Sequence, residues 1–160
     1  VRGQLLRLRW PGGPRLTRVV WSPGCYVVPW RDGTTLVGAT VEDVGFDERA
    51  TVAGVASLLE AAREVLPATA RAGFDAVRVG LRPGTSDDLP VVGWSPSMPR
   101  LLFATAHYRN GVLLAPLTAR LVTDLVLGAA PDPMLDALAP GRFDTPSPAA
   151  AAAVDGRSRP

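Results

Sequence analysis

The sequence predicts an α+β fold: a mainly antiparallel sheet with helices packed on it. Four short β-branched or aromatic runs fall within the first forty residues, separated by turns rich in Pro and Gly. Asp32-Gly33 stands between two of these runs, a strong short-range hairpin signal. Two later stretches, 51–65 and 112–127, carry apolar residues at helical spacing.

Residues 4–10 read as the first strand, ended by the turn cluster Pro11-Gly12-Gly13-Pro14. Leu16 to Trp21 is the second, closed by Ser22-Pro23-Gly24. Cys25–Trp30 and Thr34–Thr40 form the hairpin, in which Gly33 is expected to supply the positive φ of a type I′ turn. Pro29 cannot donate to a ladder, which predicts a sheet edge or a bulge there. Thr51 is placed to cap a helix running to about Val65. Val52, Val55, Leu58, Leu59, Ala62, Val65 and Leu66 lie on one stripe at helical spacing, and Pro67 ends the helix. Residues 74–82 and 101–106 are further strands, joined by a Pro/Gly/Ser/Asp-rich connection from Pro83 to Arg100. In 112–127 the apolar residues Leu113, Leu114, Leu117, Leu121 and Leu125 are nearly continuous, so a helix buried all round is expected. Pro116 should sit in its first turn or kink it, and Gly128 should cap its C-terminus. Pro133 to Leu138 reads as a short helical turn. From Thr145 the chain is Pro, Ser, Ala and Gly with five consecutive alanines, a low-complexity tail.

Composition narrows the function. Of 160 residues, 47% are hydrophobic, enough to bury a core. All seventeen basic residues are arginine, which accounts for a pI near 9.3, and they are interleaved with fifteen acids rather than clustered. A nucleic-acid surface is therefore not expected. Cys25 and His107 are each alone, which excludes an internal disulfide and most histidine or cysteine metal clusters. No stretch approaches ~20 uninterrupted apolar residues, so no spanning helix is expected. No signal or transit segment leads the chain, which gives a cytoplasmic expectation. Residue 1 is valine within a strand pattern, which suggests the later part of a longer protein. The chain contains no G-x-G-x-x-G, Walker, H-E-x-x-H or G-x-S-x-G motif.

Two arginine motifs stand out. In Gly80-Leu81-Arg82-Pro83-Gly84-Thr85 an arginine ends an apolar strand, fixed by the proline after it. Its planar fork suits either a carboxylate ligand or a structural ion pair. In His107-Tyr108-Arg109-Asn110-Gly111-Val112-Leu113-Leu114-Ala115-Pro116 a strand passes through a loop into the apolar helix. The free N–H groups at that helix start could meet an anion, although ordinary capping by Asn110 is the favoured alternative. Cys25 reads as a small buried hydrophobe, His107 as a hydrogen-bonded structural residue, and Asp87 and Asp88 as turn residues.

These motifs, in order with Val1-Arg2-Gly3-Gln4, Cys25-Tyr26-Val27-Val28-Pro29, Leu36-Val37-Gly38-Ala39-Thr40 and Leu89-Pro90, closely resemble the D-amino-acid oxidase family of FAD-dependent oxidoreductases. The likeness is to the C-terminal half of its glycine-oxidase branch, which serves thiamine biosynthesis, and it spans about residues 1–143. The resemblance implies oxidative deamination of glycine, N-methylglycine or small D-amino acids. Hydride passes to FAD, molecular oxygen takes the electrons, and an imine or 2-oxo acid, ammonia and hydrogen peroxide result. It implies that Tyr26 and Arg82 hold the substrate carboxylate, that Arg109 closes the pocket, and that Val41 lines it. The backbone of Asn110, Gly111, Val112 and Leu113, with Arg109, would meet the flavin. The implied organisation is a substrate-binding domain over 1–110, a helical segment over 111–143 that returns to the nucleotide-binding half, and a disordered tail over 144–160. That half, with its glycine-rich fingerprint, is the implied missing partner. Homo-oligomer formation stays open. Without the partner the 112–127 helix should expose an apolar patch. The chain departs from the family pattern at three places. Arg78 stands where a tryptophan is usual, in a strand expected to be half-buried, Trp30 replaces an arginine, and Asp88 replaces a glycine. A related D-amino-acid or N-methyl amino-acid oxidase or dehydrogenase, or a truncated remnant without catalysis, are the alternatives.

Overall fold

The computed structural model describes residues 1–12 and 16–144. The expected tail, from 145 on, lies outside the described residues. The chain divides into two compact units, Val1–Arg82 and a second beginning at Pro83. Segment 83–110, grouped on sequence with the sheet, contributes instead to the second unit, where its Val92 is buried with Leu121, Leu135 and Leu138.

The first unit is a five-stranded sheet. Its strands are β1 (Arg2–Arg9), β2 (Val20–Trp21), β3 (Tyr26–Pro29), β4 (Thr34–Gly38) and β5 (Gly73–Leu81), in the order β2-β3-β4-β1-β5. Every pairing is antiparallel, as expected. Period-two alternation along β1 sends Leu6 and Leu8 inward. There they form the core with Cys25, Val27, Val37, Leu58 and Ala62 beneath helix α1 (Val52–Val65). Each large aliphatic side chain so buried contributes about 1.5–3 kcal/mol. Helix α1 begins where the sequence places it: the Thr51 hydroxyl accepts from the Gly54 N–H at 3.1 Å. The helix ends ahead of Pro67, which opens a short 3-10 turn.

Several local expectations are corrected. The second strand shrinks to Val20–Trp21, and the fourth ends at Gly38 rather than Thr40. The hairpin loop has three residues, Arg31–Gly33, closed by Trp30 N–H donating to the Thr34 carbonyl at 2.9 Å. Only Gly33 has positive φ (82°), so the turn is not type I′. The reason is Asp32, whose carboxylate accepts from the Thr34 N–H (2.9 Å) and hydroxyl (2.6 Å), an Asx-type contact that draws a third residue into the loop. Pro29 does sit where its strand lacks a neighbour, because β2 pairs only with Tyr26 and Val27.

The second unit pairs β6 (Val91–Trp94) with β7 (Leu102–Thr105) and adds helices α2 (Gly111–Leu127) and α3 (Met134–Leu138). Strand β6 lies inside the stretch read as a connection, where a four-residue run containing glycine gave no strand signal. Helix α2 ends at Gly128, in the left-handed region at φ 69°. Pro116 falls in its second turn rather than its first, where it cannot donate to the Val112 carbonyl. Nor is α2 buried all round: Leu121 is its one buried residue, while Val112 is 94% and Leu113 78% exposed. Within the described chain only one side of the helix meets a partner, through the cluster of Val92, Leu135 and Leu138, so the expected apolar patch is present. Arg142 ties the unit together, pairing with Asp87 at 2.7 Å and donating to the Leu89 carbonyl at 2.9 Å.

One polar cluster is buried beside the sheet of the first unit. Arg2, with its side chain 5% exposed, pairs with Glu42 at 2.5 Å and Asp47 at 3.1 Å. The Arg2 hydrogen bonds, then those from the Thr40 hydroxyl and the Gln4 amide, hold the Glu42 carboxyl down at about 2. A carboxyl whose folded-state pKa lies below its ordinary value stabilises the fold fully at neutral pH. That stabilisation is lost as pH falls through about 2. Thermal unfolding followed by circular dichroism should therefore show Tm falling in acid in a way that Glu42→Gln flattens. An identical acid profile in Glu42→Gln would contradict this assignment.

Candidate functional site

The face of the sheet turned away from α1 collects Tyr26, Gly38, Leu5, Gly3, Gly80 and Arg82, as the cross-strand register requires. Arg82 follows directly on β5. Its N–H donates to the Val1 carbonyl at 2.8 Å, and the Val1 amino group donates back to the Arg82 carbonyl at 2.9 Å. With its backbone so pinned, the side chain lies across Gly3. A Cβ at that position would stand 2.1–2.4 Å from Nη2, Cζ and Nη1 of the guanidinium, so only glycine fits beneath it. Nη1 donates to the Thr40 carbonyl at 3.2 Å. The Tyr26 ring lies over Gly38 in the same way, with Cζ and the hydroxyl 2.4 Å from where a Cβ would be. Two glycines thus form the floor, and Tyr26 and Arg82 converge on Gly38–Thr40 from opposite strands. Arg82 is half-buried and, among the described residues, has no carboxylate within ion-pair distance. Of the two readings left open by the sequence, the structural ion pair is not formed among the described residues.

Thr40 joins this surface to the buried polar cluster. Its hydroxyl donates to Glu42 Oε1 (2.5 Å) and accepts from the Gln4 N–H (2.8 Å), while its own N–H donates to the Gln4 carbonyl (3.2 Å). The wholly buried Gln4 side chain donates to Glu42 (2.8 Å) and to the Thr51 hydroxyl (2.9 Å), and accepts from the Thr51 N–H (2.9 Å). Sequence reading assigned no role to Gly3, Gln4, Thr40 or Glu42. Gln4 carried a signal: it stands at an inward position of a strand whose next inward residues are Leu6 and Leu8, where an amide must find partners.

The remaining expected residues are placed as follows. Val41 follows Thr40 in an exposed loop. Arg78 is exposed rather than half-buried. It lines a small cavity of about 120 Å³ on the same sheet face with Arg7, Trp30, Asp32, Thr34 and Leu36. Its strand buries only the opposite side, where Val77 packs on the core, so the charge stays in water. In the second unit, Arg109 and Asn110 are exposed just ahead of α2, and Gly111, Val112 and Leu113 form its first turn. Asn110 occupies the N-cap position but, contrary to expectation, its side chain makes no capping bond. Its φ and ψ of −103° and 8° depart from the extended conformation that capping uses. The first-turn amides therefore have no side-chain cap. His107 is hydrogen-bonded to Thr118 at 2.8 Å, the structural role expected of it, and Cys25 is buried. Asp88, where the family pattern has glycine, adopts φ 59°.

The chain has strong relatives. It is 42% identical over 149 residues to the bifunctional protein ThiO/ThiG of Synechocystis, covering 91% of this chain and 23% of that protein. To the glycine oxidase of Bacillus subtilis it is 39% identical over 127 residues, 79% of this chain and 34% of that one. The solved glycine oxidase of Geobacillus kaustophilus superposes with a TM-score of 0.79 at 38% identity, over 88% of this chain and 38% of its own. The chain thus spans about a quarter to two fifths of the relatives it matches. None of the described helices is long and apolar enough to cross a membrane. Residues 1–125 match the family model described as FAD dependent oxidoreductase, and the chain belongs to that family, the D-amino-acid-oxidase group of flavoenzymes.

Proposed function

We propose that this chain is the substrate-holding part of an FAD-dependent oxidase of glycine and other small amino acids, such as N-methylglycine and D-amino acids, working in the cytoplasm and in thiamine biosynthesis. The observation that carries the reading is the Arg82 guanidinium: half-buried, flat on Gly3, tethered to the Thr40 carbonyl and without an acidic partner among the described residues. Such a group is preorganised for a ligand carboxylate, because one N–H is engaged and the rest of the fork stays free for a bidentate pair. The Tyr26 hydroxyl, over Gly38, supplies a further donor to the same carboxylate. The names of the relatives, glycine oxidase among them, support an amino acid as the ligand.

On this reading Arg82 and Tyr26 grip the carboxylate and so fix the α-carbon, converting a bimolecular encounter into an oriented one. FAD, when bound, supplies the hydride acceptor. The amides of Gly111, Val112 and Leu113, at the positive end of α2 and without a side-chain cap, would hold the electron-rich edge of the flavin. Arg109, exposed just before them, is proposed to close the substrate pocket, and Val41 to limit its size. Molecular oxygen is the proposed electron acceptor. The glycine-rich dinucleotide cradle is not in these 160 residues. A nucleotide-binding portion beyond them is proposed as the partner that completes the enzyme.

Two outcomes are expected. Arg82→Leu in the complete enzyme should raise KM for glycine by an amount corresponding to about 2–5 kcal/mol, roughly 30-fold or more. Unchanged kinetics would end the carboxylate reading. The purified 160-residue chain, mixed with FAD and desalted, should retain no flavin absorbance, whereas the same chain produced with its nucleotide-binding portion should be yellow. Flavin retained by the chain alone would overturn that division of labour.

A further inference from the structure

We propose that Thr40, Glu42 and Gln4 are positioning residues for the substrate carboxylate, acting through the Arg82 guanidinium they aim; this rests on the carboxylate reading of Arg82 given above. Thr40 has all of its polar groups engaged. Its carbonyl holds Arg82 Nη1, while its hydroxyl and N–H are locked to Glu42 and to the Gln4 backbone. Glu42 is itself held in two directions, by Arg2 at its Oε2 and by Gln4 and Thr40 at its Oε1. Arg2 fastens the loop beyond, donating to the carbonyls of Asp47 (3.4 Å) and Arg49 (3.1 Å). A continuous line of hydrogen bonds therefore runs from the N-cap of α1, through Gln4 and Glu42, to the one protein acceptor that the Arg82 guanidinium meets among the described residues.

Both entropy and direction depend on this network. An arginine side chain has several rotatable bonds, and ordering it at the moment of binding would weaken the ligand. Gly3 gives the guanidinium a plane to lie on but sets no direction within that plane. The direction comes from the Thr40 carbonyl, and that carbonyl stays put only if the residue around it is fixed. Glu42 and Gln4 supply this from the other side of the backbone, out of reach of the ligand. A network of this kind could also be structural alone, and the two roles make different kinetic predictions. A structural role lowers stability without selecting KM, whereas a positioning role raises KM at nearly constant kcat.

The test uses the complete FAD-loaded enzyme, with KM and kcat for glycine and Tm measured for each variant. Thr40→Val deletes the hydroxyl and keeps the carbonyl, and Glu42→Gln keeps the shape and loses the charge. Each should raise KM about 3- to 10-fold, the equivalent of losing one hydrogen bond's worth of order, with kcat within about twofold. Thr40→Ser, which retains the hydroxyl, should restore the KM of the parent. Leu58→Val, a core change in α1 remote from the network, should lower Tm without moving KM. In an Arg82→Lys background, Glu42→Gln should have no further effect on KM. If Arg82→Lys raises KM while Thr40→Val and Glu42→Gln lower Tm alone, the positioning role is refuted and the carboxylate reading survives. If Arg82→Lys leaves KM unmoved, the carboxylate reading itself fails.

Discussion

A cation resting on a glycine is the constraint on which the rest of the first unit turns. Arg82 reaches its place because Gly3 offers no side chain, and it points where it does because the Thr40 carbonyl accepts its proton. Ordinary folding energetics would pair a half-buried guanidinium with a carboxylate. Here acids are close at hand in the chain, yet Glu42 and Asp47 are spent on Arg2 instead. The sheet therefore separates its charges. Arg2 is compensated within the polar cluster, and Arg82 lies on the opposite face with no acidic partner among the described residues. That separation follows from period-two alternation, since Val1, the backbone partner of Arg82, and Arg2 are consecutive residues at the start of β1 and so face opposite ways.

Much of this architecture could be read from residues. Strong local signals survived: the Thr51 cap and the stripe of α1, the Gly128 stop of α2, and the hairpin around Asp32-Gly33. What failed did so for physical reasons. The turn type depended on a side-chain contact, Asp32 to Thr34, that dipeptide rules do not contain. Strand β6 was too short to show periodicity and owes its place to tertiary pairing with β7. Helix α2 looked buried because its sequence is apolar all round, yet hydrophobicity states what a face prefers and not whether this chain supplies a cover.

The site was legible to a similar depth. Arg82 stood out in its own motif, because a proline-locked arginine leaves a local trace, whereas a strand tyrosine does not, and Tyr26 was singled out only through the family resemblance. Their glycine floor and the hydrogen-bonded line behind Thr40 left almost none. Gly3, Thr40 and Glu42 come together only through register between β1, β4 and the loop after it, which no single motif encodes. The second unit adds a helix whose first-turn amides lack a side-chain cap, and its exposed Val112 and Leu113 show a surface that no described residue of this chain covers. Relatives of a little over two to about four times this length are the context in which such a surface makes sense.

The proposed carboxylate role requires Arg82 to receive its ligand without leaving its seat. A crystal structure of the complete enzyme soaked with acetate, a carboxylate of the right size with no C–H bond next to nitrogen to oxidise, measures this directly. Both acetate oxygens should lie on the Arg82 guanidinium, with the plane still over Gly3 and Nη1 still on the Thr40 carbonyl. Acetate bound elsewhere, or an Arg82 side chain swung off Gly3 to reach it, would rule out a preformed carboxylate seat.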